Sequence, residues 1–323
     1  MITKDTVFII GAGAHVPYGY PSGGQLKQLI NSELKKYISG NMHQLDDNQE
    51  LNLYVSGDGW PVHLQQRDIP MFKEAFEGSA HRSIDAFLNV YNDNNNIVKT
   101  GKALIAQILN SKQYLDAGGH LSGRNPEGDW IAYLAAEMFS EAECLDDFIE
   151  GNKATFITFN YDTSLEYRLA SYMKHSLNCS FEDAEKYIEP KVTHIYGKLP
   201  WPKSSTVPNH NSWRSNWHKI ITIHEAMGSS NLQDQINHAK LAVQVCENLI
   251  MLGCGFHKLN LDILDIPEVL RSTNKKLHAS VYEITDAELA RSLDRASIKQ
   301  AMVEITSNSD DCLGFLRNVP LLW

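Results

Sequence analysis

The sequence lacks paired cysteines, an excess of basic residues and long apolar segments. None of its five cysteines lies in a C-x-x-C pair, which excludes a zinc ribbon and a dithiol redox motif. The formal net charge of −10 argues against a broad surface for nucleic acid or acidic membranes. The apolar runs have the length of strands, so we expect no membrane span. Scattered cysteines are typical of the reducing cytoplasm, where we expect the protein to lie.

The first feature that is present is a glycine turn after an apolar strand. The β-branched run Thr6–Ile10 breaks into Gly11-Ala12-Gly13, which predicts a buried central strand whose glycines let the backbone approach a ligand closely. Free N–H groups at the start of the following helix are then expected to hold a pyrophosphate. The dinucleotide fingerprint also needs a third glycine, where Val16 stands, and an acidic residue about 20 positions further on. A hydride-transferring Rossmann domain is therefore disfavoured. A nucleotide site and a plain strand-to-helix turn both stay open.

Further apolar runs alternate with helical patterns along the chain. Leu26, Ile30 and Leu34 share one helix face after the first turn, and residues 83–150 have helical periodicity. Strands that alternate with helices predict an α/β fold: a Rossmann-like parallel sheet with helices on both faces and an inserted helical block. The further strands are expected at 154–159, 192–196, 249–252, 277–284 and 302–305.

The same patterns divide the chain into two parts. Residues 1–40 and 151–323 are expected to form the Rossmann-like domain. Residues 41–80 are polar, with clusters of Asn, Asp and Gly, and predict a long loop or irregular insertion. With the helical block they form the second predicted part, an inserted subdomain over 41–150.

Polar or glycine-rich residues stand where four of the predicted strands end. They are Gly11–Gly13, Asn160–Asp162, His194–Gly197 and Gly253–Gly255. Ligands of parallel α/β sheets bind outside the carboxyl ends of the strands, so these four segments predict one shared site. Taken singly, Asn160 is also typical of a turn, and Asp162 of a helix N-cap.

Four sequence blocks, together with the first turn, carry a resemblance to a known family. The blocks are Ser83–Leu88, Asn160–Glu166, His194–Leu199 and Leu252–His257. They are similar to the sirtuin-like domains of bacterial antiphage defence, which hydrolyse NAD. The resemblance spans nearly the whole chain and is weakest over 41–80 and after 290. Within the first block, Asp85 is either an acid at a helix N-terminus or a site residue.

The resemblance implies how the ligand is held. Gly11, Ala12 and Gly13 would bind the pyrophosphate of NAD. Gly253 and the residues after it, including Gly255, would border the adenosine half. NAD is then the substrate, and no metal ion is required.

The resemblance also implies the catalytic residues. Asn160 would order the reacting water or the nicotinamide ribose, and Asp162 would lie beside the nicotinamide. The base would be a histidine directly before glycine, a position that Tyr196 occupies here. His194 is favoured for this role although it lies two residues earlier, on the same face of an extended strand; Tyr196 would then bond the ribose. His15 stands where the family more often has a small residue, and it either contacts a phosphate or caps a helix.

The activity that the resemblance implies is NAD glycohydrolysis by an effector of antiviral defence. One alternative is an NAD-dependent protein deacylase, which usually carries a four-cysteine zinc module that this chain lacks. Another is a non-catalytic module that senses NAD or ADP-ribose. The resemblance further implies a homo-oligomer activated by a hexameric DNA-translocase ATPase of the HerA kind, without direct contact of this chain with nucleic acid or membrane.

Overall fold

Six short strands form one parallel sheet. In the computed structural model, which describes residues 1–38, 68–117, 128–201, 215–228, 230–282, 284–306 and 310–319, their order is β3-β2-β1-β4-β5-β6. Strands β1 to β6 are Thr6–Ile10, Ala154–Thr158, Val192–His194, Asn248–Leu252, Leu277–Ala279 and Val303–Glu304. This is the strand order of a Rossmann fold, so the predicted fold class is confirmed.

Strand β1 lies at the centre of the sheet. All five of its residues are buried, and it pairs with β2 on one side and with β4 on the other. An unbroken apolar run suits this position because neither face of the strand meets water. The strand order reverses direction at β1, so right-handed crossovers place the helices of the two halves on opposite faces.

The part of the chain that the structure describes contains fourteen α-helices. In order, α1 to α14 are Gly23–Ile38, Asp68–Glu77, Ile84–Val90, Asn95–Ala117, Trp130–Phe139, Leu145–Gly151, Ser164–Ser176, Phe181–Ile188, Ile223–Gly228, Ser230–Val245, Lys258–Ile263, Ile266–Thr273, Asp286–Arg295 and Cys312–Asn318. None of them is long and apolar enough to cross a bilayer. The side chains of Ser83, Asp129 and Ser180 accept main-chain N–H groups at the starts of α3, α5 and α8, which fixes where these helices begin.

Helices α2 to α6 lie between β1 and β2 in the sequence. Their fully buried side chains include Phe72, Phe87 and Trp130, which belong to the same apolar cluster as Phe8 of β1. The rings of Phe72 and Phe87 meet edge to face with centroids 5.5 Å apart. The insertion before β2 is therefore helical, as predicted, while its standing as a separate subdomain remains a prediction.

Residues 68–77 correct the prediction of a loop over 41–80. They form α2, in which Phe72 and Phe76 are fully buried with ring centroids 5.3 Å apart. Apolar residues four positions apart lie on one helix face, and the polar sequence around them obscured this pattern. The rest of the predicted loop, residues 41–67, lies outside the described residues.

Two strands end at least two residues earlier than predicted. β3 ends at His194 and β5 at Ala279, whereas strands to 196 and 284 were expected. After β3 the chain turns through Gly197, whose φ of +74° favours glycine and whose added Cβ would lie 2.0 Å from the carbonyl oxygen of Lys219. The expectation that His194 and Tyr196 share the face of one strand is therefore wrong.

Candidate functional site

The turns after β1 and β4 meet where the strand order reverses. The Gly11 N–H donates to the Leu252 carbonyl at 2.9 Å, and the Gly13 N–H donates to the Gly253 carbonyl at 3.0 Å. Gly253 has a φ of +62°, and a Cβ there would lie 1.9 Å from the main-chain nitrogen of Ala14. Close contact between the two turns thus accounts for these glycines, at the place where an open α/β sheet binds its ligand.

The first turn is not followed directly by an α-helix. A 3-10 helix, Ala12–Tyr18, comes next, and α1 begins only at Gly23. The N–H groups of Gly11 and Gly13 are bonded to the β4 segment, and that of Ala14 is bonded to the Gly11 carbonyl. The expectation of free N–H groups at an α-helix start is therefore wrong. Pyrophosphate binding by Gly11, Ala12 and Gly13 stays a prediction.

Asn160 and Asp162 converge on the imidazole of His15. His15 Nδ1 lies 2.9 Å from Asp162 Oδ1 and 3.2 Å from Asn160 Nδ2. The Asn160 amide also donates to the Gly11 carbonyl at 3.3 Å. The Ser164 hydroxyl donates to the same Asp162 oxygen at 2.5 Å. The predicted amide and acid thus lie against the first glycine turn, with His15 between them.

The electrostatics of this cluster keep Asp162 ionised. Burial alone would raise the pKa of its carboxyl, but the His15 ring and the hydrogen bonds from His15 and Ser164 outweigh burial and lower the pKa. A carboxylate can only accept, so we assign the proton of the shared contact to His15 Nδ1. Asp162 therefore fixes the orientation of the ring. The helix N-cap position that the sequence also allowed for Asp162 is occupied by Thr163.

His194 is held at both ring nitrogens. Its Nδ1 lies 2.9 Å from the Asn160 carbonyl oxygen and its Nε2 lies 2.7 Å from Glu166 Oε1, with only 3% of the residue exposed. Burial alone would lower the pKa of His194, but the Glu166 carboxylate and these hydrogen bonds outweigh it and raise the pKa. Both partners accept hydrogen bonds, so the ring is an imidazolium with no nitrogen free to take a proton. The role of His194 as base stays a prediction that this geometry does not favour.

Tyr196 lies beyond the end of β3 and is bonded to helix α11, which follows β4. Its hydroxyl donates to Asn260 Oδ1 at 2.7 Å, and its ring centroid lies 5.7 Å from that of Phe159. Burial raises the pKa of the Tyr196 phenol, so the hydroxyl stays protonated and acts as a donor. Its suggested contact with a ribose remains a prediction.

Asp85 approaches the same edge of the sheet from the start of α3. The Tyr161 hydroxyl donates to Asp85 Oδ1 at 2.7 Å. Burial raises the pKa of the Asp85 carboxyl, and the bond from Tyr161 opposes this rise. The acid is therefore more than a surface charge at a helix N-terminus: it joins the inserted helices to the end of β2.

Aromatic rings lie close to His15. Its ring centroid lies 5.9 Å from that of Tyr20 and 6.3 Å from that of Trp130. The Tyr20 hydroxyl donates to Asp116 Oδ2 at 3.2 Å, and Arg168 donates to Asp116 Oδ1 at 2.5 Å. Asp116 is thus paired with Arg168. Among the described carboxylates, Asp162 is the one bonded to His15.

Several of the predicted site residues are brought together, but not all. Gly11, Asn160 and Asp162 are in contact directly or through His15, and Gly13 is bonded to Gly253 on the β4 side. Gly255 is exposed, and a Cβ on it would meet no described atom within 4 Å. Its role beside an adenosine stays a prediction.

Sequence reasoning left two residues of the site without their actual partners. His15 was assigned to a phosphate or a helix cap, yet it bonds Asp162, which is 147 residues away along the chain. Glu166 was part of a quoted block but had no role. A signal for it existed, because the first turn of a helix that follows a parallel strand lies at the carboxyl edge of the sheet, where Glu166 meets His194.

Comparisons with known proteins do not assign the chain to a family. No model of a known protein family matches the chain, and no curated protein sequence matches it significantly. Within the described ranges, no group of three or more His, Cys, Asp or Glu side chains is placed to hold a metal ion. The chemistry of the site is therefore the ground on which a function can be proposed.

Proposed function

We propose that the chain is an NAD glycohydrolase, which converts NAD and water into nicotinamide and ADP-ribose. The observation that supports this most directly is the contact of Asn160 with the first glycine turn, at 3.3 Å from the Gly11 carbonyl. This contact lies at the strand-order reversal of a Rossmann-like sheet, where dinucleotides bind. An amide and an ionised acid at this edge of the sheet suit cleavage of a glycosidic bond.

The charges around Asn160 fit the chemistry of that cleavage. Positive charge develops on the ribose as its bond to nicotinamide breaks, and fixed dipoles and carboxylates stabilise such charge when they are already in place. Asp162 is ionised, is 4% exposed and is fixed by Ser164 and His15. It needs no rearrangement to face a developing cation.

A wider role follows from the sequence resemblance. We propose that the activity serves bacterial antiviral defence in the cytoplasm, with the chain as a homo-oligomer that a hexameric HerA-type DNA-translocase ATPase activates. A toxic NAD hydrolase requires control, and a separate partner would supply it. NAD is the substrate in this proposal, and metal ions take no part.

A second candidate is a module that binds NAD or ADP-ribose without cleaving it. The geometry of His194 favours this alternative, because both of its nitrogens are bonded to acceptors. A site with a fixed imidazolium and no base would hold a ligand and signal its presence. Protein deacylation has no comparable observation in its favour.

The decisive experiment measures nicotinamide release and NAD binding by the same preparation. The chain is incubated with NAD, alone and with a HerA-type ATPase and DNA, and nicotinamide is quantified by chromatography. Asn160→Ala is expected to lower the rate by about 10²–10³-fold, the usual cost of removing one stabilising dipole.

The matched control is Asn248→Ala, which also removes a buried amide. Asn248 lies at the amino end of β4, away from the crevice, and donates to the Thr6 hydroxyl at 3.2 Å. Its loss is expected to cost stability and to leave the rate unchanged. Binding of NAD without nicotinamide release would support the sensing module instead, and absence of both would refute the two proposals.

A further inference from the structure

The two buried imidazoles of the site differ in one respect. His194 has an acceptor at each ring nitrogen, the Asn160 carbonyl and the Glu166 carboxylate. His15 is bonded only through Nδ1, and no described atom pairs with its Nε2, although only 1% of the residue is exposed. Buried polar atoms normally have a partner, so a buried nitrogen without one marks a place for a water or a ligand atom.

We propose that His15 is the base that takes the proton from the reacting water, with Asp162 as the residue that positions its ring; this inference rests on the proposed NAD hydrolysis. The imidazole that acts as the base would then belong to the first glycine turn and not to the end of β3. His194 would serve to hold the main chain of Asn160 in place.

The geometry fixes which nitrogen of His15 reacts. Asp162 Oδ1 accepts the proton of Nδ1 at 2.9 Å, and the Ser164 hydroxyl and main-chain N–H bond the same oxygen at 2.5 and 3.2 Å. The neutral ring therefore carries its lone pair on Nε2. An acid that orients one nitrogen and leaves the other as base is the arrangement that activates a nucleophile in other hydrolases.

The groups around His15 leave this assignment intact. Tyr18 and Tyr20 lie on its own segment, and their hydroxyls donate to Asp129 and Asp116. Arg168 on α7 is bonded to Asp116 of α4. Asp162 is thus the one described carboxylate bonded to His15.

The proposed step balances without a further reactant. His15 Nε2 takes one proton from water as the water oxygen bonds to C1′ of the nicotinamide ribose. The C1′–N bond breaks, and its electron pair passes to the pyridinium, which leaves as neutral nicotinamide. The imidazolium then releases its proton to solvent, so that NAD⁺ and water give nicotinamide, ADP-ribose and one H⁺.

The test compares kcat, KM and their pH dependence in three variants. His15→Asn keeps a donor for Asp162 and removes Nε2; we expect kcat to fall about 10²–10⁴-fold, KM to change little, and the acidic limb of the kcat profile to disappear. His194→Gln should retain that acidic limb, whatever its kcat. The matched control is His278→Asn on β5, where another histidine lies 3.3 Å from a carboxylate, that of Glu304; its kcat should be unchanged.

The outcomes separate this inference from the proposed function. Should His15→Asn retain the wild-type kcat and acidic limb while His194→Gln loses them, His15 is not the base and NAD hydrolysis still stands. A wild-type chain that binds NAD and releases no nicotinamide overturns both. If His15→Asn does not fold, Asp162→Asn replaces it, and His15 can then adopt the other tautomer. Because Asp162 is also proposed to stabilise the developing cation, the readout is the acidic limb of the kcat profile: a shift or loss of that limb supports the inference, whereas an unchanged limb refutes it.

Discussion

Removal of the Glu166 carboxylate should destabilise the protein strongly. Glu166 Oε1 lies 2.7 Å from His194 Nε2, and the two side chains are 11% and 3% exposed. In Glu166→Ala the imidazolium stays buried without its counter-charge or loses its proton, and either outcome removes a favourable interaction. Breaking a buried ion pair at one partner costs about 3–5 kcal/mol of the free energy of unfolding. This is a large part of the 5–15 kcal/mol or so that stabilises a typical native domain.

The stabilisation by this ion pair depends on pH in a definite direction. The pKa of His194 is raised in the folded state, so its contribution to stability is complete below the unfolded value of about 6.5 and is lost as pH rises through the folded value. Glu166→Gln keeps an acceptor for His194 and removes the charge. It should cost less than Glu166→Ala and should lessen the loss of stability toward alkaline pH.

Urea unfolding at pH 6 and pH 8, followed by circular dichroism, measures both effects. The matched control is Glu182→Ala, which removes an exposed carboxylate 3.2 Å from Lys186; such surface pairs contribute about 0–1 kcal/mol. If Glu166→Ala were as stable as Glu182→Ala at pH 6, the ion pair at the end of β3 would not exist as described. The assignment of His194 as an imidazolium held by Glu166 would then be wrong as well.

Two further predictions concern the first turn. In urea unfolding, Gly253→Ala should destabilise the protein severely, because a Cβ at Gly253 would lie 1.9 Å from the main-chain nitrogen of Ala14. Gly255→Ala should not destabilise it, because a Cβ there would meet no described atom within 4 Å. Equal stabilities of the two variants would contradict the contact between the turns. The lowered pKa of Asp162 stabilises the fold above the unfolded value of about 3.9, a contribution lost as pH falls through the folded value. Acid unfolding of Asp162→Asn should thus be less steep than that of wild type, and an unchanged slope would argue against a lowered pKa of Asp162 in the folded state.

The fold was predictable because its strands carry a local signal. Residues 7–10 and 249–252 are apolar on both faces of their strands, as is typical of strands at the centre of a parallel sheet. Edge strands carry less of this signal: β3 has three residues, and its predicted end was two residues too late. The turn after it depends on a contact between Gly197 and Lys219, which no local pattern contains.

The site was predictable only in part. The strand ends that carry Asn160 and Asp162 followed from topology, since carboxyl ends of parallel strands share one edge. Which atoms they bond did not, because the partner of Asp162 is 147 residues away and the partner of His194 lies on another element. Whether a histidine acts as a base or as half of an ion pair depends on what its second ring nitrogen bonds. That partner comes from a residue distant in the sequence, so no local pattern predicts it.

The two acidic partners explain why one fold can hold both kinds of imidazole. The Glu166 carboxylate meets His194 at the nitrogen opposite the one that the Asn160 carbonyl occupies, so the ring is protonated and fixed. Asp162 meets His15 at Nδ1, and no described atom bonds Nε2. Asn160 links the two histidines, because its main-chain carbonyl bonds His194 while its side-chain amide contacts His15. A substitution that frees His194 should therefore also shift Asn160, so its effect on turnover would not by itself identify His194 as the base.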